Sequence, residues 1–276
     1  MHLYLAGIDT TGAIAMRAFD KDNGCNFLFS YYYLVSKKCM YKVDWAIQNK
    51  GGVFLDSGAF SAMHSGAEIN IDAYIDFIKK HGSKFKKVAA LDRIGDWRGT
   101  EKNLQYMRGK GVNPIPVFHT NEPFDYLDNL LKENDYLCLG VTGSKLRQPQ
   151  IIAWLIEVFK RRERINPNCK IHGFALTSAK IMKYFDFNTC DSTSWLSGGR
   201  FSFIYQIEGS NLRSYSRDKW QKIKGKITDE RLFITPKGNS ERLIPLWKHN
   251  AETILRYVEM INTLKGKAVV SPRPTV

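Results

Sequence analysis

Cysteine is scarce and scattered in this chain. Five residues (Cys25, Cys39, Cys138, Cys169 and Cys190) occur with no C-x-x-C or C-x-C pair. An odd, dispersed set excludes a disulfide framework and a compact zinc site, so no metal and no cofactor is expected. Cys138 and Cys190 lie in apolar, strand-like runs, where a buried structural thiol is the expected role. Long hydrophobic runs are also missing. None approaches the ~20 residues that span a bilayer, so no membrane segment is expected. Met1–Gly7 lacks the basic start and long apolar stretch of a signal peptide, which points to a cytoplasmic protein. No Pro/Gly/Ser-rich linker divides the 276 residues, and one domain over 1–276 with a substantial core is expected. Only 270–276 reads as a loose tail. Acid is the remaining shortage: 27 Asp+Glu stand against 41 Lys+Arg, a net charge of +14. A field of that sign suits nucleic acid or an anionic membrane surface, and also serves plain solubility.

What is present alternates in period. Short apolar runs (Leu3–Ala6, Phe27–Tyr31, Gly52–Leu55, Lys87–Leu91, Pro116–His119, Tyr136–Val141, Lys170–Ala175, Phe187–Asp191) are interleaved with helical spacing at 71–80, 100–107, 124–131, 151–159 and 178–185. Repeated β-then-α order predicts an α/β fold with a parallel sheet, as a (β/α)8 TIM-like barrel or alternatively an open doubly wound sheet. About 200–245 the pattern changes. Residues 213–231 are crowded with Arg and Lys around Tyr215 and Trp220. They read as an exposed basic insertion or extension, either a solvated surface or a phosphate-contacting one with interleaved aromatics. A closing helix is expected over 246–264.

Three of the apolar runs end on a carboxylate: Asp56, Asp92 and Asp191. Strands that end this way deliver their acids to one rim of a parallel barrel. Ser57 and Gly58 follow Asp56 in a small turn that lets a ligand approach the backbone; a helix N-cap is the plainer use. Asp191 precedes a polar, Gly-rich loop, and it too could be a turn or cap residue. Asp92 has Arg93 beside it as a ready ion-pair partner.

The segment Asp56-Ser57-Gly58-Ala59-Phe60 resembles the Asp-Ser-Gly-Gly-Phe signature of the tRNA-guanine transglycosylase superfamily. It is closest to the phage-type members that insert 7-deazaguanines into DNA. Ala90-Leu91-Asp92, Leu139-Gly140-Val141-Thr142-Gly143, Asn188-Thr189-Cys190-Asp191-Ser192 and Lys248-His249-Asn250 follow in the order that family has its base-reading aspartate, Gly-rich strand end, nucleophile and final helix. No cysteine follows Cys190, so the zinc subdomain of the tRNA enzymes is absent. His119 stands where they carry a Gln, and either reads the base or hydrogen-bonds within the core.

The resemblance implies an enzyme, a pentosyltransferase that replaces guanine in DNA with a preQ0-type base through a covalent aspartyl intermediate. Asp191 would attack C1′ and Asp56 would carry protons. Ser57, Gly58, Asp92, His119, Gly140, Val141 and Thr142 would hold the base. Arg200, Arg213, Arg217, Lys219, Lys222, Lys224 and Lys226 would contact phosphates. The partners implied are DNA and a 7-deazaguanine, with tRNA as the alternative polymer and an accessory protein or a homodimer as further candidates. If phage-encoded, the chain would act in the host cytoplasm. A zinc-free tRNA enzyme, a non-catalytic nucleic-acid-binding subunit and a barrel glycoside hydrolase are the alternatives.

Overall fold

The computed structural model describes residues 1–141, 146–233 and 240–270. Its centre is an eight-stranded parallel sheet: β1 (His2–Ala6), β2 (Asn26–Ser30), β3 (Val53–Asp56), β4 (Lys87–Val88), β5 (Val117–His119), β6 (Tyr136–Gly140), β7 (Lys170–Gly173) and β8 (Thr189–Ser192). The strand order is β4-β3-β2-β1-β8-β7-β6-β5. The sheet curls until its two edges meet. There Ala90 N–H donates to Ile115 O (2.8 Å) and Ile115 N–H to Val88 O (2.8 Å). The architecture is α/β and TIM-like.

Helices clothe the sheet: α1 (Tyr31–Ser36), α2 (Tyr41–Gln48), α3 (Ala59–His64), α4 (Ile71–His81), α5 (Trp97–Gly109), α6 (Phe124–Glu133), α7 (Gln148–Ile165), α8 (Ala179–Tyr184), α9 (Ser197–Phe201) and α10 (Ile244–Val270). Their sequences explain them. In α6 the buried positions Tyr126, Leu127, Leu130 and Leu131 recur on one face, each large side chain contributing about 1.5–3 kcal/mol of burial. Asn70 caps α4 by accepting the Ala73 N–H (2.9 Å).

One unit departs from regularity. β1 is followed only by 3-10 turns at Ile8–Thr10 and Ala13–Ala18. α10 packs on the second of these turns and on β1, which covers the flank a crossover helix would have filled. It is longer than the 246–264 expected, and it buries Leu246, Trp247, Ala251, Ile254, Tyr257, Val258 and Ile261. Among the described residues no helix is long and apolar enough to cross a membrane. All five cysteines are free, with Cys138 and Cys190 fully buried.

The basic segment corrects the sequence reading. Residues 204–215 form an antiparallel hairpin, β9 (Ile204–Glu208) and β10 (Asn211–Tyr215), followed by a 3-10 turn at Arg217–Lys222. Tyr215 and Trp220 do not interleave with the cations on the surface. They pack inward with Ile204, Ile223, Leu232 and Leu246 in a second small core. The Trp220 indole N–H donates to Ser202 O (3.1 Å). Burying two aromatics is what anchors so charged a segment, and it removes them as stacking platforms. The tail expected from residue 270 lies, from Ser271 on, outside the described residues.

Candidate active site

Side chains alternate across a strand, and the register decides which ones enter the ring. The middle layer is Tyr4, Leu28, Phe54, Ala89, Val117 and Cys138, with His172 against the rings of Phe54 (4.6 Å between centroids) and Phe174 (4.7 Å). Two residues further along their strands, the same parity brings Ser30, Asp56, His119, Gly140 and Asp191 to the carboxyl-terminal layer. The period of two therefore gathers the acids of β3 and β8 at one end.

Asp56 is not a helix cap. Its Oδ2 accepts the Gly58 N–H (3.0 Å), and α3 starts after Gly58 without a side-chain cap. Burial first, then the negative charges of Asp92 and Asp191, push its pKa up to about 8, against the pull of the Gly58 N–H. Gly58 is obligatory here. Its φ is +79°, and a Cβ would sit 2.1 Å from Ser30 Oγ.

Ser57 and Gly58 correct a further expectation. The buried Ser57 hydroxyl donates to Asp92 Oδ1 (2.9 Å), and the amides of Gly58 and Ala59 are taken by Asp56 and by Ser57 Oγ. The turn organises the two acids, and its Gly58 and Ala59 amides are engaged within it.

Asp92 leaves Arg93 to Asp96 (3.9 Å) and instead lies 3.1 Å from His119 Nε2. The other face of that imidazole meets Glu122: Nδ1 is 3.4 Å from Oε1, and the His119 backbone N–H donates to Oε2 (2.8 Å). Burial opposes charge on the ring, but the adjoining Asp92 and Glu122 carboxylates outweigh it and push the pKa to about 9. His119 lies between two buried carboxylates, whose charges favour its protonated form. The ring lies flat over Gly140, where a Cβ would approach its Cδ2 to 2.6 Å. Gly140→Ala should therefore tilt His119 off Asp92 and cost about 1–3 kcal/mol. Thermal melting checks the cost, and NMR titration of the His119 ring should show its pKa falling. An unchanged titration would contradict this role for Gly140. Val141 packs partly buried against the outer core, and Thr142 lies outside the described residues.

Asp191 is 6% exposed. Its Oδ1 accepts the Ala175 N–H (3.0 Å) and lies 3.3 Å from His172 Nε2. It caps no helix: Thr193 is the N-cap of the 3-10 turn that follows.

Sequence reasoning missed three residues here. Asp9 is buried after β1 and accepts the Ser30 N–H (2.7 Å). Burial raises its pKa to about 6, against that hydrogen bond. Glu122 and His172 were also passed over. An i,i+3 pairing of His119 with Glu122 was a signal available in the sequence; nothing local marks Asp9 or His172.

A cleft of about 760 Å³ opens beside Asp92, between α3, the following loop and residues 91–96. Asp92 is on its wall; Asp56 and Asp191 are not. Of the seven cations predicted to meet phosphate, Arg200 reaches over the rim to Thr10 Oγ1 (3.5 Å). Arg213 and Lys226 both pair with Glu208, at 3.3 and 3.0 Å. Arg217, Lys219, Lys222 and Lys224 are exposed on the small second core.

No family model matches the sequence, and no curated protein matches it. Among solved structures it is similar to the YdjI aldolase from Escherichia coli K12, with a TM-score of 0.49 and 11% identity, over 95% of this chain and 90% of that one. A likeness of that degree assigns no chemistry.

Proposed function

We propose that this chain is a base-exchange glycosyltransferase that replaces guanine in DNA with a 7-deazaguanine. The observation that carries this reading is the shared field of Asp56, Asp92 and Asp191, which with burial holds the Asp56 proton to about pH 8. A carboxyl that keeps its proton near neutral pH suits the role of acid.

The reaction is a double displacement, as in retaining glycosidases. Asp191 attacks C1′ of the target nucleotide while the bond from C1′ to guanine breaks, and Asp56 gives its proton to the departing base. The incoming deazaguanine then attacks C1′, the ester to Asp191 breaks, and the base's proton returns to Asp56. Asp92, held by Ser57 and His119, has acceptor capacity left for the N–H edge of a purine. The target nucleotide must leave its stack to arrive, at a cost of a few kcal/mol. With Asp191 almost covered, the rim must also part. Phosphate contacts from Arg200 and the exposed lysines at 219, 222 and 224 would offset part of that cost.

The test is incorporation of labelled 7-cyano-7-deazaguanine into duplex DNA, single-stranded DNA or tRNA, followed by digestion to nucleosides. Label in deoxynucleosides is the expected result. Label only in tRNA would move the substrate to RNA, and no label in any polymer would remove the reading.

A further inference from the structure

Below Asp191, a line of polar groups crosses the interior of the barrel, beside the Tyr4 hydroxyl and Lys87. Tyr136 begins β6 and Thr189 begins β8, and the Tyr136 hydroxyl lies 2.6 Å from Thr189 Oγ1. Thr189 pairs in register with His172 of β7, and its Oγ1 is 2.7 Å from His172 Nδ1. His172 Nε2 is 3.3 Å from Asp191 Oδ1. The imidazole is fully buried and packs against the rings of Phe54 and Phe174.

We propose that His172 is a positioning residue for Asp191, with its tautomer set by Tyr136 acting through Thr189 from the opposite end of the barrel. A neutral imidazole has one donor and one acceptor nitrogen. If Nδ1 carried the proton, the Nε2 lone pair would face a carboxylate oxygen in a buried site, at the cost of two opposed acceptors. With the proton on Nε2, the two hydroxyls and Nδ1 are each used. Tyr136 O–H donates to Thr189 Oγ1, Thr189 O–H donates to Nδ1, and the Nε2–H is left 3.3 Å from the Asp191 charge, outside hydrogen-bond geometry. Burial keeps the ring neutral, against the pull of Asp191.

The consequence lies at the carboxylate. Asp191 Oδ1 accepts the Ala175 N–H and has the His172 Nε2 at 3.3 Å, which leaves Oδ2 as the oxygen free to react. A carboxylate pinned through one oxygen loses its rotational freedom before substrate arrives, which is how orientation lowers a barrier. The role of Asp191 as nucleophile rests on the base-exchange reading. The tautomer does not.

The experiment therefore has two parts. Nitrogen-15 NMR of histidine-labelled protein near neutral pH should show His172 protonated at Nε2 only. An Nδ1–H tautomer or an imidazolium would overturn the proposal whatever reaction the chain performs. In exchange assays Thr189→Val should lower kcat about 10-fold or more with KM little changed, and Thr189→Ser should restore it. Unchanged kcat in Thr189→Val overturns the proposal as well. If no exchange occurs with any polymer, the base-exchange reading fails and the tautomer measurement alone decides this one.

Discussion

Asp191→Asn should abolish base exchange, lowering kcat by roughly 10³-fold or more, while the protein folds and binds DNA as before. The asparagine keeps an oxygen for the Ala175 N–H, so the β7–β8 rim retains its geometry. What it loses is the anionic oxygen that bonds C1′, and no neighbouring group replaces it: Asp92 is tied to Ser57 and His119. Binding is set by many lysine and arginine contacts to phosphate. Removing one negative charge from a protein of net charge +14 leaves the slope of affinity against salt nearly unchanged. Steady-state exchange assays and salt titrations of DNA binding measure both quantities. Exchange that survives in Asp191→Asn would show that another group is the nucleophile.

Asp56→Asn should give opposite signs for activity and stability. Exchange falls about 10²- to 10⁴-fold, because the residue that moves the proton is gone. Stability rises, and the rise depends on pH. The folded protein holds the Asp56 proton to about pH 8, whereas the unfolded chain releases it near pH 4. A raised pKa means the folded state binds the proton more tightly. Its contribution is fully present below about pH 4 and is lost progressively as pH rises to 8. The asparagine variant escapes that loss. Its advantage should be small near pH 4, grow through neutrality and level off above pH 8, on the order of 3–5 kcal/mol. Chemical denaturation at several pH values gives the curve; a flat difference between the proteins would mean that Asp56 is ionised at neutral pH. His119 works in the same direction in both proteins. Its folded pKa of about 9 lies above the unfolded value, so its contribution is complete below about pH 6.5 and fades as pH rises through 9. The wild-type protein should therefore weaken steadily from pH 7 to 9. Its exchange rate should fall as Asp56 deprotonates near pH 8.

Much of this architecture is legible in the sequence. Apolar runs alternating with helical periods announce a parallel sheet, since consecutive parallel strands require crossovers. A carboxylate at the end of such a run has its end of the barrel assigned by chain direction, and a period of two decides whether it faces in. Asp56 and Asp191 follow from that arithmetic. His119 follows too, although whether it met a ligand or a neighbour did not.

The partners of these residues belong to the tertiary structure. Ser57 meets Asp92 across 35 positions of sequence, and Tyr136 meets Thr189 across 53. No local pattern encodes such distances, because they depend on strand register and on how far the sheet curls. The same holds for Tyr215 and Trp220, which look like a nucleic-acid surface in a basic stretch and turn out to be its anchor. Sequence alone determined which residue types reach the rim, through backbone periodicity. Only packing decided which of them are engaged by one another and which remain free to react, because hydrogen-bond satisfaction in a buried site is settled by neighbours in space.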